Sequence, residues 1–324
     1  MDKLLFSLGV ICFGLALGYA IQVITRKGYQ PPGLDLDRLR KNLQKIGIWG
    51  FMSVSFTGAI WGLKLDDPRL AALPALGVAG LLAGGFLGLG AARLLGLGRL
   101  KTGTMFICGF FTNLGSVGGL ICYVFMGEDG LALLMLYRIF EAVFYYTVGF
   151  SAAKYYSSEG ANDGLKSRLK KVFTDPFPLV ALSVIVVGAG LNLAGVPRPR
   201  FLEKVIAFCV PVGTTILLAS IGMAMRFSRI SAYTKEYLAI SAIKFILTPA
   251  LVGAAAYLIG YGDINMGLPL KVVLVAASMP VAFNALVAAS LYDLELDMAN
   301  TCWFVSTVAL FLVVPWLYFL TNAF

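Results

Sequence analysis

A chain of 324 residues with 59% hydrophobic and only 13% charged side chains falls well below the roughly 25% charge of an ordinary soluble domain, and no soluble core of this length buries so much apolar surface. The net charge of +9 is dispersed in short basic groups between apolar runs, which excludes a concentrated nucleic-acid-binding face and reads as topology signals. Histidine is absent, so His-based catalytic triads and the usual zinc and haem constellations are excluded.

Apolar stretches of about 20 residues, the length that crosses the hydrocarbon layer, recur from end to end. They predict helices near 4–24, 46–63, 70–92, 102–126 and 130–153, then near 176–195, 202–225, 236–259, 270–291 and 299–321. The first run also has features of a signal peptide, with Gly18-Tyr19-Ala20 at its end, but it is longer than a typical signal core and is needed as a helix of the first set. Cys12, Cys108, Cys122, Cys209 and Cys302 fall inside apolar runs without metal-ligand or pairing spacing, and are expected as small packing residues. No cofactor or metal is expected.

The predicted fold is an all-α membrane protein. A polar segment from Lys154 to Asp175, carrying Lys166, Arg168, Lys170 and Lys171, divides it into a first five-helix repeat (1–156), a linker (157–175) and a second five-helix repeat (176–324). With the amino terminus outside, seventeen Lys and Arg fall on the inner connections against seven on the outer, which places both termini outside and the linker in the cytoplasm. Five is odd, so two related halves must lie in opposite orientations, the inverted repeat common among secondary transporters. Leu43-Gln44-Lys45-Ile46 after Pro31-Pro32 echoes Leu202-Glu203-Lys204-Val205 after Pro197 and Pro199, a faint trace of such a repeat.

Helix 4 is interrupted by Thr112-Asn113-Leu114-Gly115-Ser116-Val117-Gly118-Gly119, and helix 9, its counterpart, by Ser278-Met279-Pro280-Val281-Ala282-Phe283-Asn284. Glycine weakens a helix, and proline removes a donor and clashes with the preceding turn. Both helices are therefore expected to break in mid-membrane, where irregular backbone survives only if buried in protein or lining a water-filled cavity. Half-helix amino termini favour an anion. Asn113, Gly115, Gly118, Ser278, Pro280 and Asn284 are accordingly the candidate substrate-binding residues, with a carboxylate the expected ligand; the alternative is close helix packing at the glycines and a simple kink at Pro280.

Arg138 and Glu141, three residues apart in helix 5, are expected to pair. They serve either as an anion attractor with a protonatable coupling group or as a neutral structural pair. Lys244 in helix 8 lies near enough to the cytoplasmic end to snorkel; the alternative groups it with Arg138 and Glu141 as a coupling or charge-pair residue. Gly260-Tyr261-Gly262-Asp263 and Tyr292-Asp293 imitate the motifs of intramembrane aspartyl proteases, but their order is reversed and both aspartates fall in predicted connections, so no enzyme is expected. Asp293, Glu295 and Asp297 read as a solvated acidic loop.

These residues resemble the auxin efflux carrier family, which includes plant PIN auxin carriers and many bacterial permeases. The resemblance runs through most of the chain: Asn113, Gly115 and Gly118 in helix 4, Gly127-Glu128-Asp129-Gly130-Leu131-Ala132 after it, Asp175-Pro176 leading to Gly190-Leu191-Asn192 and Gly195-Val196-Pro197, Lys244 with Pro249, Pro280 with Ala282 and Asn284, and Ser306-Thr307 with Pro315. It implies a ten-helix inverted-repeat carrier with two broken helices crossing at the substrate site, similar to sodium/proton antiporters and bile acid transporters, and it makes Asn113 and Asn284 the foremost contacts for an organic acid. Leu120 stands where the family pattern has proline, so the first break must rely on glycine; helix 2 lacks a proline often found there, while Pro211 occupies helix 7.

The expected function is alternating-access transport of small organic anions in a bacterial inner membrane. Glu141 is the one acid expected mid-membrane, which favours proton coupling or uncoupled movement over sodium. The runner-up is a sodium symporter of the bile acid type using Thr112, Ser116 and Ser278. A membrane sensor or intramembrane enzyme fits poorly. The lipid bilayer and the anion are the expected partners, with a homodimer by analogy and no nucleic acid.

Overall fold

A computed structural model describes residues 1–26, 35–63, 67–157, 176–225 and 230–323. Among them the regular structure is helical, and six helical segments are long and apolar enough to cross a membrane: Asp2–Thr25, Pro68–Leu94, Leu114–Tyr156, Phe201–Gly222, Ile230–Leu258 and Leu296–Asn322. The protein is a multi-span helical membrane protein. Leu114–Tyr156 runs for 43 residues, about twice what one crossing requires. Gly127, at φ 70° and ψ −159°, breaks it, a conformation open to glycine because it lacks a Cβ.

The residues fall into two compact units, each drawn from both halves of the chain: Met1–Lys64, Gly115–Met135 and Val180–Arg226 in the first, Leu65–Leu114, Leu136–Leu179 and Phe227–Phe324 in the second. In the first unit α1 (Asp2–Arg26) packs along α10 (Phe201–Gly222). Gly18 lies so close to the Ala219 backbone that no side chain fits there, and the Gln22 amide donates to the Met223 carbonyl at 2.7 Å. The second predicted span begins earlier than expected, as α2 (Leu36–Lys45), a π-helical turn Ile46–Met52 and α3 (Ser53–Gly62) in continuous succession. The Asn192 amide, on α9 (Pro176–Leu193), donates to the carbonyls of Ile60, Trp61 and Leu63 at the end of α3, groups that a helix terminus otherwise leaves unpaired.

In the second unit α4 (Leu73–Leu94) and α5 (Arg99–Phe110) approach until Gly84 and Gly109 touch each other's backbone; small residues permit this contact in the absence of a hydrophobic drive between helices. The fifth predicted span is not continuous. The helix that began as α6 (Gly119–Tyr137) stops, Arg138–Phe140 form a turn, and α7 (Glu141–Phe144), a π-helical turn Tyr145–Gly149 and α8 (Phe150–Tyr156) follow. The unit also contains α11 (Thr234–Ala242), a π-helical turn Ile243–Leu247, α12 (Thr248–Leu258), α13 (Leu268–Ala277), α14 (Asn284–Leu291) and α15 (Leu296–Asn322). Of the cysteines, Cys108, Cys122, Cys209 and Cys302 are buried as expected, but Cys12 is exposed, because it lies on a face of α1 that does not meet α10. Beyond Ser157, the linker and its basic residues lie outside the described residues, as do Pro31 and Pro32.

Candidate functional site

Two gaps in the helices of the second unit meet each other. α5 ends at Phe110, and Phe111 turns extended at φ −71° and ψ 122°. α13 ends at Ala277, and helix resumes at Asn284. Thr112 and Val281 form an isolated antiparallel bridge, in which the Asn113 N–H donates to the Pro280 carbonyl at 2.9 Å and the Ala282 N–H to the Phe111 carbonyl at 3.0 Å. Each gap thus supplies backbone partners that the other has lost, which is what irregular backbone buried in an apolar setting needs.

Side chains complete the first gap. The Tyr145 hydroxyl accepts from the Thr112 N–H at 2.9 Å and donates to the Thr112 carbonyl at 2.7 Å, closing a two-way clamp on one residue. The ring of Phe111 stands edge-on against Tyr145 at 4.6 Å. Lys244 Nζ donates to the Phe111 carbonyl at 3.1 Å and to Thr112 Oγ1 at 2.7 Å. With 1% exposure, Lys244 does not snorkel: its ammonium turns inward to carbonyl and hydroxyl oxygens at the end of α5, where the helix dipole favours a cation. Among the described residues it has no acidic partner. Tyr145 and Lys244 both sit on π-helical turns, local distortions that often mark functional positions.

The second gap is simpler. Pro280 brings no N–H to satisfy, and the Val281 N–H donates to Ser306 Oγ at 3.2 Å, whose own proton goes to the Trp303 carbonyl at 3.0 Å. Trp303 meets Phe283 edge-on at 6.1 Å. Ser278 Oγ and Trp303 Nε1 are buried without a hydrogen-bond partner among the described residues.

Asn113, Pro280 and Asn284 therefore belong to the paired gaps or their border: Asn113 is half-buried in the first, Pro280 is buried in the second, and Asn284 opens α14, half-buried, its side-chain amide without a hydrogen bond among the described residues. Ser278 closes α13. Gly115 and Gly118 directly follow the first gap. They fall after the break, in the π-helical turn Leu114–Gly118, because the backbone leaves the helix at Phe111, where Tyr145 and Lys244 capture it. Arg138 and Glu141 pair, both Arg138 Nε and Nη2 reaching Oε2, across the turn that interrupts the predicted helix. The protease-like aspartates, Asp263 and Asp293, lie in connections outside the helices.

Sequence reading missed Tyr145 and Ser306 as partners of the gaps. A tyrosine in an apolar span signals a hydroxyl that must find a partner, but the sequence does not say which.

No family model matches the chain. An uncharacterized transporter of Methanothermobacter thermautotrophicus is 24% identical over 217 residues, 66% of this chain and 67% of that protein. An uncharacterized transporter of Methanocaldococcus jannaschii is 27% identical over 229 residues, 68% of this chain and 70% of that protein.

Proposed function

We propose that the protein is a secondary carrier of small carboxylates, of the auxin efflux carrier type, working by alternating access. The observation that carries this reading is the pair of interrupted helices whose gaps bond to each other and hold a buried ammonium, Lys244, at their junction. Interrupted helices paired in this way are the usual setting of a transport site, and a cation beside them with no acidic partner among the described residues favours an anionic ligand. Asn113 and Asn284, the half-buried amides at the two gaps, are its proposed contacts, with the start of α14 contributing its partial positive charge. That both relatives bear the name transporter agrees with the reading.

The proposed architecture is ten spans in two inverted repeats. The division into units supports it, since the first takes the first two predicted helices of each five and the second takes most of the last three, residues Gly115–Met135 apart. On this reading the termini face outward, the linker is cytoplasmic and the membrane is a bacterial inner membrane. Sodium symport is disfavoured on a specific ground: Thr112 Oγ1, one of the hydroxyls it would require, already binds the Lys244 ammonium, which repels a second cation.

Thermal stabilisation of the detergent-purified protein over a panel of small carboxylates, with and without sodium, tests the reading, because a ligand of the folded state raises its apparent stability by mass action. A carboxylate-specific, sodium-independent shift that disappears in Asn113→Ala and Asn284→Ala is expected. No shift with any acid, or a full shift in both variants, would overturn it; a shift requiring sodium would favour the symporter.

A further inference from the structure

Among the described residues Lys244 is held as a bound cation is held, by oxygen atoms alone. Its Nζ donates to the Phe111 carbonyl at 3.1 Å and to Thr112 Oγ1 at 2.7 Å. The Thr112 hydroxyl commits its own proton to the Phe110 carbonyl at 3.3 Å, so it meets the ammonium with a lone pair. Both oxygens stand at the carboxyl end of α5, where the helix dipole is negative. The Phe111 carbonyl also accepts the Ala282 N–H, so the ammonium binds the bridge between the two gaps itself.

A further oxygen lies on the same side of α5. Thr248, four residues beyond Lys244, is buried at 4% exposure, and its Oγ1 has no hydrogen-bond partner among the described residues. It borders the close contact of Gly84 with Gly109, since a Cβ on Gly84 would stand 2.2 Å from the Gly109 carbonyl oxygen and 3.7 Å from Thr248 Oγ1. No acidic side chain pairs with Lys244 among the described residues. Carbonyl and hydroxyl oxygens at the end of a helix, with no carboxylate, are the means by which a protein replaces the hydration shell of a monovalent ion.

We propose that the junction of the two gaps is a site for one small monovalent cation, and that this chain fills it with its own Lys244 ammonium. Without the lysine the junction is neutral; with it the junction carries one positive charge, the charge that a bound sodium or methylammonium ion would bring. A free ion leaves water and binds by mass action, whereas the tethered one is always present. Lys244 is thus the residue that frees the junction from a dissolved co-ion. Shortening the side chain removes the tether and keeps the oxygens, so the variant takes its cation from solution. One consequence rests on the carrier reading: a carboxylate beside the cation attracts it, and each raises the affinity of the other by the same factor.

The test compares the apparent Tm of the detergent-purified full chain in methylammonium or sodium chloride with that in N-methyl-D-glucamine chloride, a bulky cation, at equal ionic strength. Lys244→Ala is expected to gain about 3 °C with methylammonium, the closest mimic of the lost group, as one ligand at about ten times its Kd gives a chain of this size, and less with sodium. Lys244→Ser, which keeps the space and adds an oxygen, is expected to respond likewise. Wild type, Lys244→Met, whose side chain fills the space, and Lys244→Ala combined with Thr112→Val are expected to show no preference among the salts. If neither short variant responds to either cation, or if the rise is as large in Lys244→Met or in the double variant, the proposal is overturned. Carboxylates added to Lys244→Ala read the coupling separately: their stabilisation is expected to return only with the small cation. A cation response with no carboxylate effect in any variant or in wild type would overturn the carrier reading and leave the cation site standing.

Discussion

The two helix gaps that meet at Thr112 and Val281 are stabilised in different ways. The second is written locally: Pro280 removes a donor from the chain, and a single hydroxyl, Ser306, satisfies the Val281 N–H that remains. The first contains no proline, and its glycines lie beyond it in helical backbone. Side chains from two distant segments hold it open, Tyr145 from 33 residues away and Lys244 from 132. One gap is thus a property of its own sequence and the other a property of the folded unit. Perturbing the partners of the first gap should therefore collapse more than perturbing those of the second.

The largest effect is expected from Lys244→Ala. It removes two charge-assisted hydrogen bonds and leaves a cavity in a fully buried position, at a combined cost of about 3 kcal/mol or more. A fall in the apparent Tm of the detergent-purified protein checks this. Lys244→Met sharpens the point, because it fills much of the same volume without the charge. Replacing a buried charge by an apolar group of similar size is often close to neutral for stability, so its Tm is expected near wild type while any carboxylate-induced shift is lost. If both variants were as stable as wild type, the first gap would not depend on Lys244 at all.

Next come the two hydroxyls. Tyr145→Phe keeps the ring against Phe111 but strips both hydrogen bonds from Thr112, leaving a buried N–H without a partner, a loss of about 2 kcal/mol. Ser306→Ala deprives the Val281 N–H of its acceptor, but the second gap keeps its backbone bonds to the first and its proline restraint, and a loss of about 1 kcal/mol is expected. Chemical or thermal unfolding of the two variants side by side tests the ranking. A larger loss in Ser306→Ala would reverse the contrast between the gaps.

That contrast also explains which parts of the molecule were legible. The apolar runs located the six segments long and apolar enough to cross a membrane, because membrane length imposes a strict requirement on sequence, and Pro280 located the second break because proline acts on its own backbone. The first break falls at the start of the expected Thr112–Gly119 interruption: Gly115 and Gly118 are permissive residues, and permission does not specify where the chain departs from a helix. Lys244 read as a snorkelling residue because its distance from a helix end is visible in the sequence, whereas the carbonyl of Phe111 that draws it inward is 133 residues away. The turn at Arg138–Phe140 escaped notice for the same reason, since an ion pair at i and i+3 suits a continuous helix as well as a broken one.

The smallest expected effect comes from a third tie in the same unit, one in which Tyr261 is buried but the ion pair of Arg69 with Asp67 reaches solvent. Arg69 donates to the Gly260 carbonyl at 3.1 Å, the Tyr261 hydroxyl donates to the Arg69 carbonyl at 2.8 Å, and Asp67 holds the guanidinium in place. Here too distant segments are joined by side chains, so if long-range ties mattered regardless of burial, Asp67→Asn would rival Tyr145→Phe. Exposed ion pairs contribute little, because water screens them and competes for their hydrogen bonds. The hydrogen bonds from Arg69 hold the Asp67 carboxyl below its usual range, so its contribution is present above the ordinary carboxylate value of about 3.9 and is lost as pH falls through the lowered one. Asp67→Asn is accordingly expected to lower Tm slightly at neutral pH, with the difference from wild type closing as pH falls through that lowered value. A deficit that equalled that of Tyr145→Phe, or that persisted in acid, would show that reach along the chain, rather than burial, decides what these ties are worth.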